Sequence, residues 1–152
     1  MRALGNILWH FPFLGFVSAA LCWLFGALLT VTIIAAPIGI GLMEYGKFLF
    51  APFSRAMISK ADLNVKQNAA WATYSAVVMV LYLPFGLVFA AISIVQIVLL
   101  CISIVGIPVA IVVAKSLSTA LNPVNKKCVP SAVAAELERR AASSAIAKHL
   151  GQ

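Results

Sequence analysis

Charge is what this sequence has least of. Of its 152 residues 10% are Asp, Glu, Lys or Arg, and only four of those are acidic. Between Ala3 and Met43 the one candidate for a charge is His10, and from Gln67 to Ala114 there is no carboxylate, amine or guanidinium at all. A soluble domain of this length needs far more polar surface to cover itself, so a free-standing soluble fold is excluded. The same scarcity argues against catalysis. Asp62, Glu136 and Glu138 fall in polar segments, while Glu44, three residues from Lys47 and near the membrane, is expected to partner Lys47 or a headgroup, which leaves no carboxylate pair for acid–base work. His10 and His149 are isolated and read as interfacial or surface side chains. Cys22, Cys101 and Cys128 lack metal-ligand spacing, and glycine-rich phosphate loops and nucleophile elbows are missing. No catalytic, cofactor or metal site is expected, and the chain is not read as an enzyme. The formal charge of +7 comes without an aromatic-basic motif, so nucleic acid is not the expected partner.

What is present is apolar: 63% hydrophobic residues and a mean hydropathy of +1.06. A helix crosses the ~30 Å hydrocarbon core in ~20 residues. Pro12 leaves too short a stretch before it to cross, so one span is placed at about 13–36. The second uncharged run is long enough for two, and Leu83-Pro84-Phe85-Gly86 near its middle predicts a turn between spans at about 67–83 and 86–107. Three spans are expected, in an all-α integral membrane protein. Arg2 and Ser18-Ala19-Ala20 resemble a cleavable signal, but the apolar run continues through Cys22 and Trp23 to Ile34, as a retained span does, and bulky Leu21 before Cys22 argues against lipid attachment.

Orientation follows from the basic residues. Lys47, Arg55, Lys60 and Lys66 precede the hairpin and Lys115, Lys126, Lys127, Arg139, Arg140 and Lys148 follow it, so both segments and the C-terminus are expected on the cytoplasmic side. Lys47, Arg55, Lys115, Lys126 and Lys127 are the expected contacts to anionic phospholipid headgroups. Arg2 runs against this rule, because three spans place it outside; the alternative is that residues 1–12 form a short interfacial or re-entrant piece on the same side as the rest.

Compared with itself at an offset of 71, the chain pairs Gly15 with Gly86, Ala19-Ala20 with Ala90-Ala91, Ile33 with Ile104, Pro37 with Pro108, Pro52 with Pro123 and Arg55 with Lys126. Two prolines and a glycine in register predict a duplication. In each copy an apolar helix reaches its proline and the pattern turns one-sided: Leu42, Met43, Gly46, Leu49 and Phe50 share one face, as do Val113, Ala114, Leu117, Ala120 and Leu121, with Lys115, Ser116, Ser118, Thr119 and Asn122 opposite. This predicts amphipathic interfacial helices at about 38–51 and 109–122, entered through helix breaks at Pro37, Gly39, Gly106 and Pro108. The alternative is a kinked span continuing across the membrane. Gly15-xxx-Ala19 and Gly86-xxx-Ala90 are small-residue stripes suited to helix packing, within one chain or between chains, with a homo-oligomer the favoured case.

The stretches "CISIVGIPVAI" and "ALNPVNKK", with "IIAAPIGI" and "FAPFSR" in the first copy, resemble the YccF family of bacterial inner-membrane component domains. The chain departs from that pattern at Ala35-Ala36 before Pro37, and at Ser54 and Asn125 where glycine is usual. The resemblance implies an integral, multi-pass protein of the bacterial inner (plasma) membrane and names no reaction. The expected organisation is a first repeat at 1–58, a cytoplasmic linker at 59–66, hairpin and second repeat at 67–130, and a cytoplasmic helical tail at 131–152 opened by Pro130-Ser131 as cap. The expected function is non-enzymatic: a component that anchors, scaffolds or regulates a membrane partner. The alternative is a small oligomeric channel or transporter subunit lined by Gln96, Ser93, Ser103, Thr30 and Thr32.

Overall fold

The computed structural model describes residues 2–11, 13–63 and 66–150. Within them the chain runs α1 (Arg2–His10), α2 (Gly15–Val31), α3 (Ala36–Leu49), β1 (Arg55–Ser59), α4 (Ala69–Ile102), a single 3₁₀ turn (Ile104–Gly106), α5 (Ile107–Leu121), β2 (Lys126–Pro130) and α6 (Ser131–His149). The chain is mostly helical, but the all-α expectation is corrected by β1 and β2, which pair antiparallel from Arg55↔Pro130 to Ser59↔Lys126. Pro52 and Pro123 end the preceding helices, and the short segments behind them then satisfy their backbone groups on each other. Hydrogen bonds from Ser131 N to Ser54 O (2.9 Å) and from Lys60 N to Asn125 O (2.8 Å) continue the ladder at both ends.

Two helical hairpins carry the fold, α2 against α3 and α4 against α5. Close backbone approach makes the first one. A Cβ on Gly26 would stand 2.7 Å from the Gly39 carbonyl oxygen, and one on Gly46 would stand 2.9 Å from Trp23 Cβ. The contacts Trp23–Gly46, Gly26–Met43 and Thr30–Gly39 run in opposite chain directions, so α3 returns along α2. The helix breaks fall where the prolines predict. Pro37 and Pro108 both occupy the first turn of the returning helix, where proline's fixed φ suits and its missing N–H costs nothing. Gly39 lies inside α3 and serves contact with α2 rather than the turn, while Gly106 closes the 3₁₀ turn before α5.

Three expectations need correction. The turn at Pro84-Phe85-Gly86 is not formed: α4 passes through Pro84 as one helix of 34 residues, about 50 Å long at ~1.5 Å per residue. Apolar residues on both sides favour continued helix, and the carbonyl freed by proline is tolerated there. The expected helices near 38–51 and 109–122 exist as α3 and α5, but each packs back along its predecessor instead of departing alone, and Ser116 and Thr119 of the assigned polar face are buried. The expected span at 13–36 ends at Val31, and α2 at 17 residues is about 25 Å long at ~1.5 Å per residue, short of the ~30 Å core. Among the described residues one helix, α4, is long and apolar enough to cross a membrane, or two if α1 and α2, inclined at 80°, count together. The break assigned to Pro12 and the charge of Arg2 fall outside what is described.

Candidate functional site: the ribbon and its two flanking helices

The polar chemistry gathers where the ribbon meets the C-terminal ends of α3 and α5. Ladder bonds at Ser54–Ser131 and Lys60–Asn125 fix the alternation along the ribbon, because hydrogen-bonded and non-hydrogen-bonded pairs take turns in antiparallel strands. Met57↔Cys128 is therefore a non-hydrogen-bonded pair whose N–H and C=O groups point away from the ribbon. On the β2 edge that demand is met: Glu44, reaching over from α3, accepts a hydrogen bond from Cys128 N at 2.9 Å, and its other oxygen pairs with Lys47 as the three-residue spacing predicts. On the β1 edge the residue 71 positions beyond Glu44 is Lys115 of α5, whose Nζ donates to Pro52 O at 3.4 Å and lies 5.4 Å above the Phe53 ring.

Aromatic residues close the ends of both returning helices. Trp9 Nε1 donates to Leu49 O at 2.9 Å, and Tyr82 Oη donates to Ala120 O at 3.2 Å. Leu49 and Ala120 are 71 residues apart, so two different aromatic side chains reach the same carbonyl position in the two halves. His10 Nε2 meets Phe50 O at 2.8 Å, and Asn6 both donates to Ser54 Oγ and accepts from Phe53 N. These contacts dock α1 on the end of α3, beside the ribbon. Tyr74 Oη shares its proton between Ile33 O and Ile34 O, each at 2.7 Å, at the tip of the first hairpin.

The assigned residues are placed as follows. Gly15 packs under the Trp9 indole and Ala19 is fully buried against α3, while Gly86 packs on the Leu121 carbonyl and Ala90 is half-buried. These stripes pack inside one chain. Lys47, Arg55, Lys115, Lys126 and Lys127 all come together around the ribbon: Arg55 Nη1 stands 4.0 Å from Cys128 Sγ, Lys126 donates to Ser118 Oγ at 3.1 Å, and Lys127 is exposed. Burial holds the Cys128 thiol above its ordinary pKa against the opposing pull of Arg55. Burial likewise depresses Lys126, with Asp62 acting the other way. The tail helix α6 begins at Ser131 as expected, but Ser131 gives no cap: its hydroxyl is buried without a partner. Among the described residues no group of three His, Cys, Asp or Glu side chains converges to hold a metal ion. The roles of Trp9, Tyr74, Tyr82 and Gly41 were missed; only the tryptophan at a helix end carries a visible signal.

A charged ribbon, a solvated tail and lipid-scale apolar helices, α4 foremost, define a membrane-associated helical protein. Residues 4–55 match the model of the YccF family, described as an inner membrane component domain. No curated protein and no solved structure matches the chain.

Proposed function

We propose that this chain is a non-enzymatic component of the inner membrane, built from two tandem copies of one unit, that anchors or scaffolds a membrane partner from the cytoplasmic face. The observation that carries the duplication is the ribbon register: Met57 pairs with Cys128, its own counterpart 71 residues on. Pairing of a residue with its counterpart in antiparallel strands is what a two-fold axis between the copies produces. The element bounds agree: β1 at 55–59 returns as β2 at 126–130, and α2 at 15–31 returns as residues 86–102 of α4.

The hairpin tips favour insertion into hydrocarbon. Val31, Ile33, Ile34, Ile102 and Ile104 are between 75% and 85% exposed, with Thr32 and Ser103 the only polar side chains among them. Such tips belong in hydrocarbon, where irregular backbone needs internal partners, and Tyr74 supplies one to the first tip. The ribbon, α1 and α6 then share the charged side, assigned to the cytoplasm by the basic excess. Labelling with a membrane-impermeant maleimide tests the placement. Lys60→Cys and Arg140→Cys should react from the cytoplasmic side alone, and Ile33→Cys and Ile104→Cys from neither; labelling of either tip from outside would replace insertion with crossing. Ion flux in liposomes tests the role. Reproducible conductance lost in Gln96→Leu would install a channel in place of the scaffold.

A further inference from the structure

The two copies differ at one functional point, and the difference leaves a site. On the β2 edge the outward N–H of Cys128 is covered by the Glu44 carboxylate. At the equivalent point of the β1 edge, Met57 also turns its N–H outward, but the counterpart of Glu44 is Lys115. Among the described residues no side-chain acceptor meets that N–H. A cleft of about 330 Å³ opens there, lined by Arg55, Met57, Lys115, Ser131 and Glu138, with Phe48 also on its wall. Two cations border the cleft. The first residue of α6 forms part of the wall, so the positive end of a 19-residue helix faces the same space, and the Ser131 hydroxyl there is buried without a hydrogen-bond partner. One carboxylate, Glu138, also borders the cleft, and it pairs with neither Arg55 nor Lys115 among the described ion pairs.

We infer that this cleft binds a phosphate group, held by Lys115, Arg55, the Ser131 hydroxyl and the Met57 N–H in the place that the Glu44 carboxylate fills in the other copy. A phosphate supplies what the cleft lacks: several strong acceptor oxygens and a charge that offsets two cations. The source is either the phosphodiester of an anionic lipid headgroup at the membrane surface or a free phosphate from the cytoplasm. The inference rests on the membrane placement above only for the first source.

The test uses full-length protein in a neutral detergent, titrated by calorimetry with inorganic phosphate and, separately, with a short-chain phosphatidylglycerol. Saturable one-to-one binding is expected in at least one arm. Binding in the first arm assigns a soluble phosphate, and binding in the second alone assigns a lipid headgroup. Lys115→Glu rebuilds the arrangement of the first copy and should weaken binding by about tenfold or more, with Arg55→Gln and Lys115→Gln losing several-fold. Glu138→Gln should tighten it, and Lys148→Gln, exposed on α6 and outside the cleft, should stay within about twofold. Lys115→Gln, which loses the contacts to Pro52 O and the Phe53 ring, should keep the parent's circular dichroism spectrum at the titration temperature, which separates lost binding from lost fold. Absence of saturable binding in both arms overturns the site, as do equal losses in Lys115→Gln and Lys148→Gln. Either outcome leaves the membrane reading standing, because that reading is decided by the maleimide labelling.

Discussion

The first half of the chain bends where the second half stays straight. Residues 2–10 and 15–31 are separate helices inclined at 80°, whereas their counterparts 73–81 and 86–102 lie on one uninterrupted helix. Both arrangements solve the same problem, the uncapped carbonyls at the end of a returning helix. In the first half α1 folds back and Trp9 reaches Leu49 O; in the second, α4 runs on and Tyr82 reaches Ala120 O from its side. The comparison teaches that a helical hairpin followed by its strand occurs in both halves, and that the helix before it takes either course.

The sharpest way to break the comparison is at Gly41, whose counterpart is Val112. Val112 is 1% exposed and fits its own surroundings, but a Cβ on Gly41 would overlap the Pro123 carbonyl group. Gly41→Val makes the two halves alike in sequence and incompatible in space. The expected loss is about 3 kcal/mol or more, since backbone rather than a flexible side chain must move. Thermal unfolding in detergent should show it, and an unchanged midpoint would mean that α3 does not cross the Pro123 loop at this depth.

A smaller effect separates the two aromatic anchors. Trp9 is 7% exposed within the core cluster, so Trp9→Ala removes packing and a hydrogen bond together and should cost about 3–4 kcal/mol. Tyr82→Phe keeps its ring and loses one hydrogen bond, about 1 kcal/mol. Chemical unfolding of both variants checks the ratio. Equal losses would show that the straight helix depends on its anchor as heavily as the bent one does.

Much of this was legible in the sequence, and for identifiable reasons. The breaks at Pro37 and Pro108 are written in a residue type with strong backbone consequences. Pro84 misled because the same residue that breaks a helix in water is tolerated in a long apolar one, where the surrounding side chains offer no better partner to the backbone. The ribbon was invisible because Arg55–Ser59 and Lys126–Pro130 are too short to show alternation, and paired residues lie 67 to 75 positions apart. The buried Ser116 and Thr119 were assigned to an exposed face because helical periodicity finds a polar side without saying whether lipid, water or another helix lies opposite. For the candidate site, the basic residues were identifiable one by one, but their convergence on one ribbon edge depends on a pairing that no local pattern encodes.

The smallest effect sharpens the comparison at its centre, where Met57 in one strand is cysteine in the other. The half-buried Cys128 thiol is pushed above its ordinary pKa by burial, while the Arg55 guanidinium beside it, by hydrogen bond and charge, favours the thiolate. Alkylation proceeds through the thiolate, so its rate climbs as pH approaches the thiol pKa. Arg55→Gln removes one stabiliser of the anion and leaves the burial in place. The pKa must rise, the thiolate fraction at any fixed pH below it must fall, and the rate profile of Cys128 should move to higher pH without changing its plateau. The measurement is alkylation followed by mass spectrometry across an alkaline series, in a chain whose other cysteines, Cys22 and Cys101, are replaced by serine and alanine. A profile that stays put in Arg55→Gln would place the guanidinium away from the ribbon's central pair, and with it would go the contrast between a β2 edge held by a carboxylate and a β1 edge left to cations.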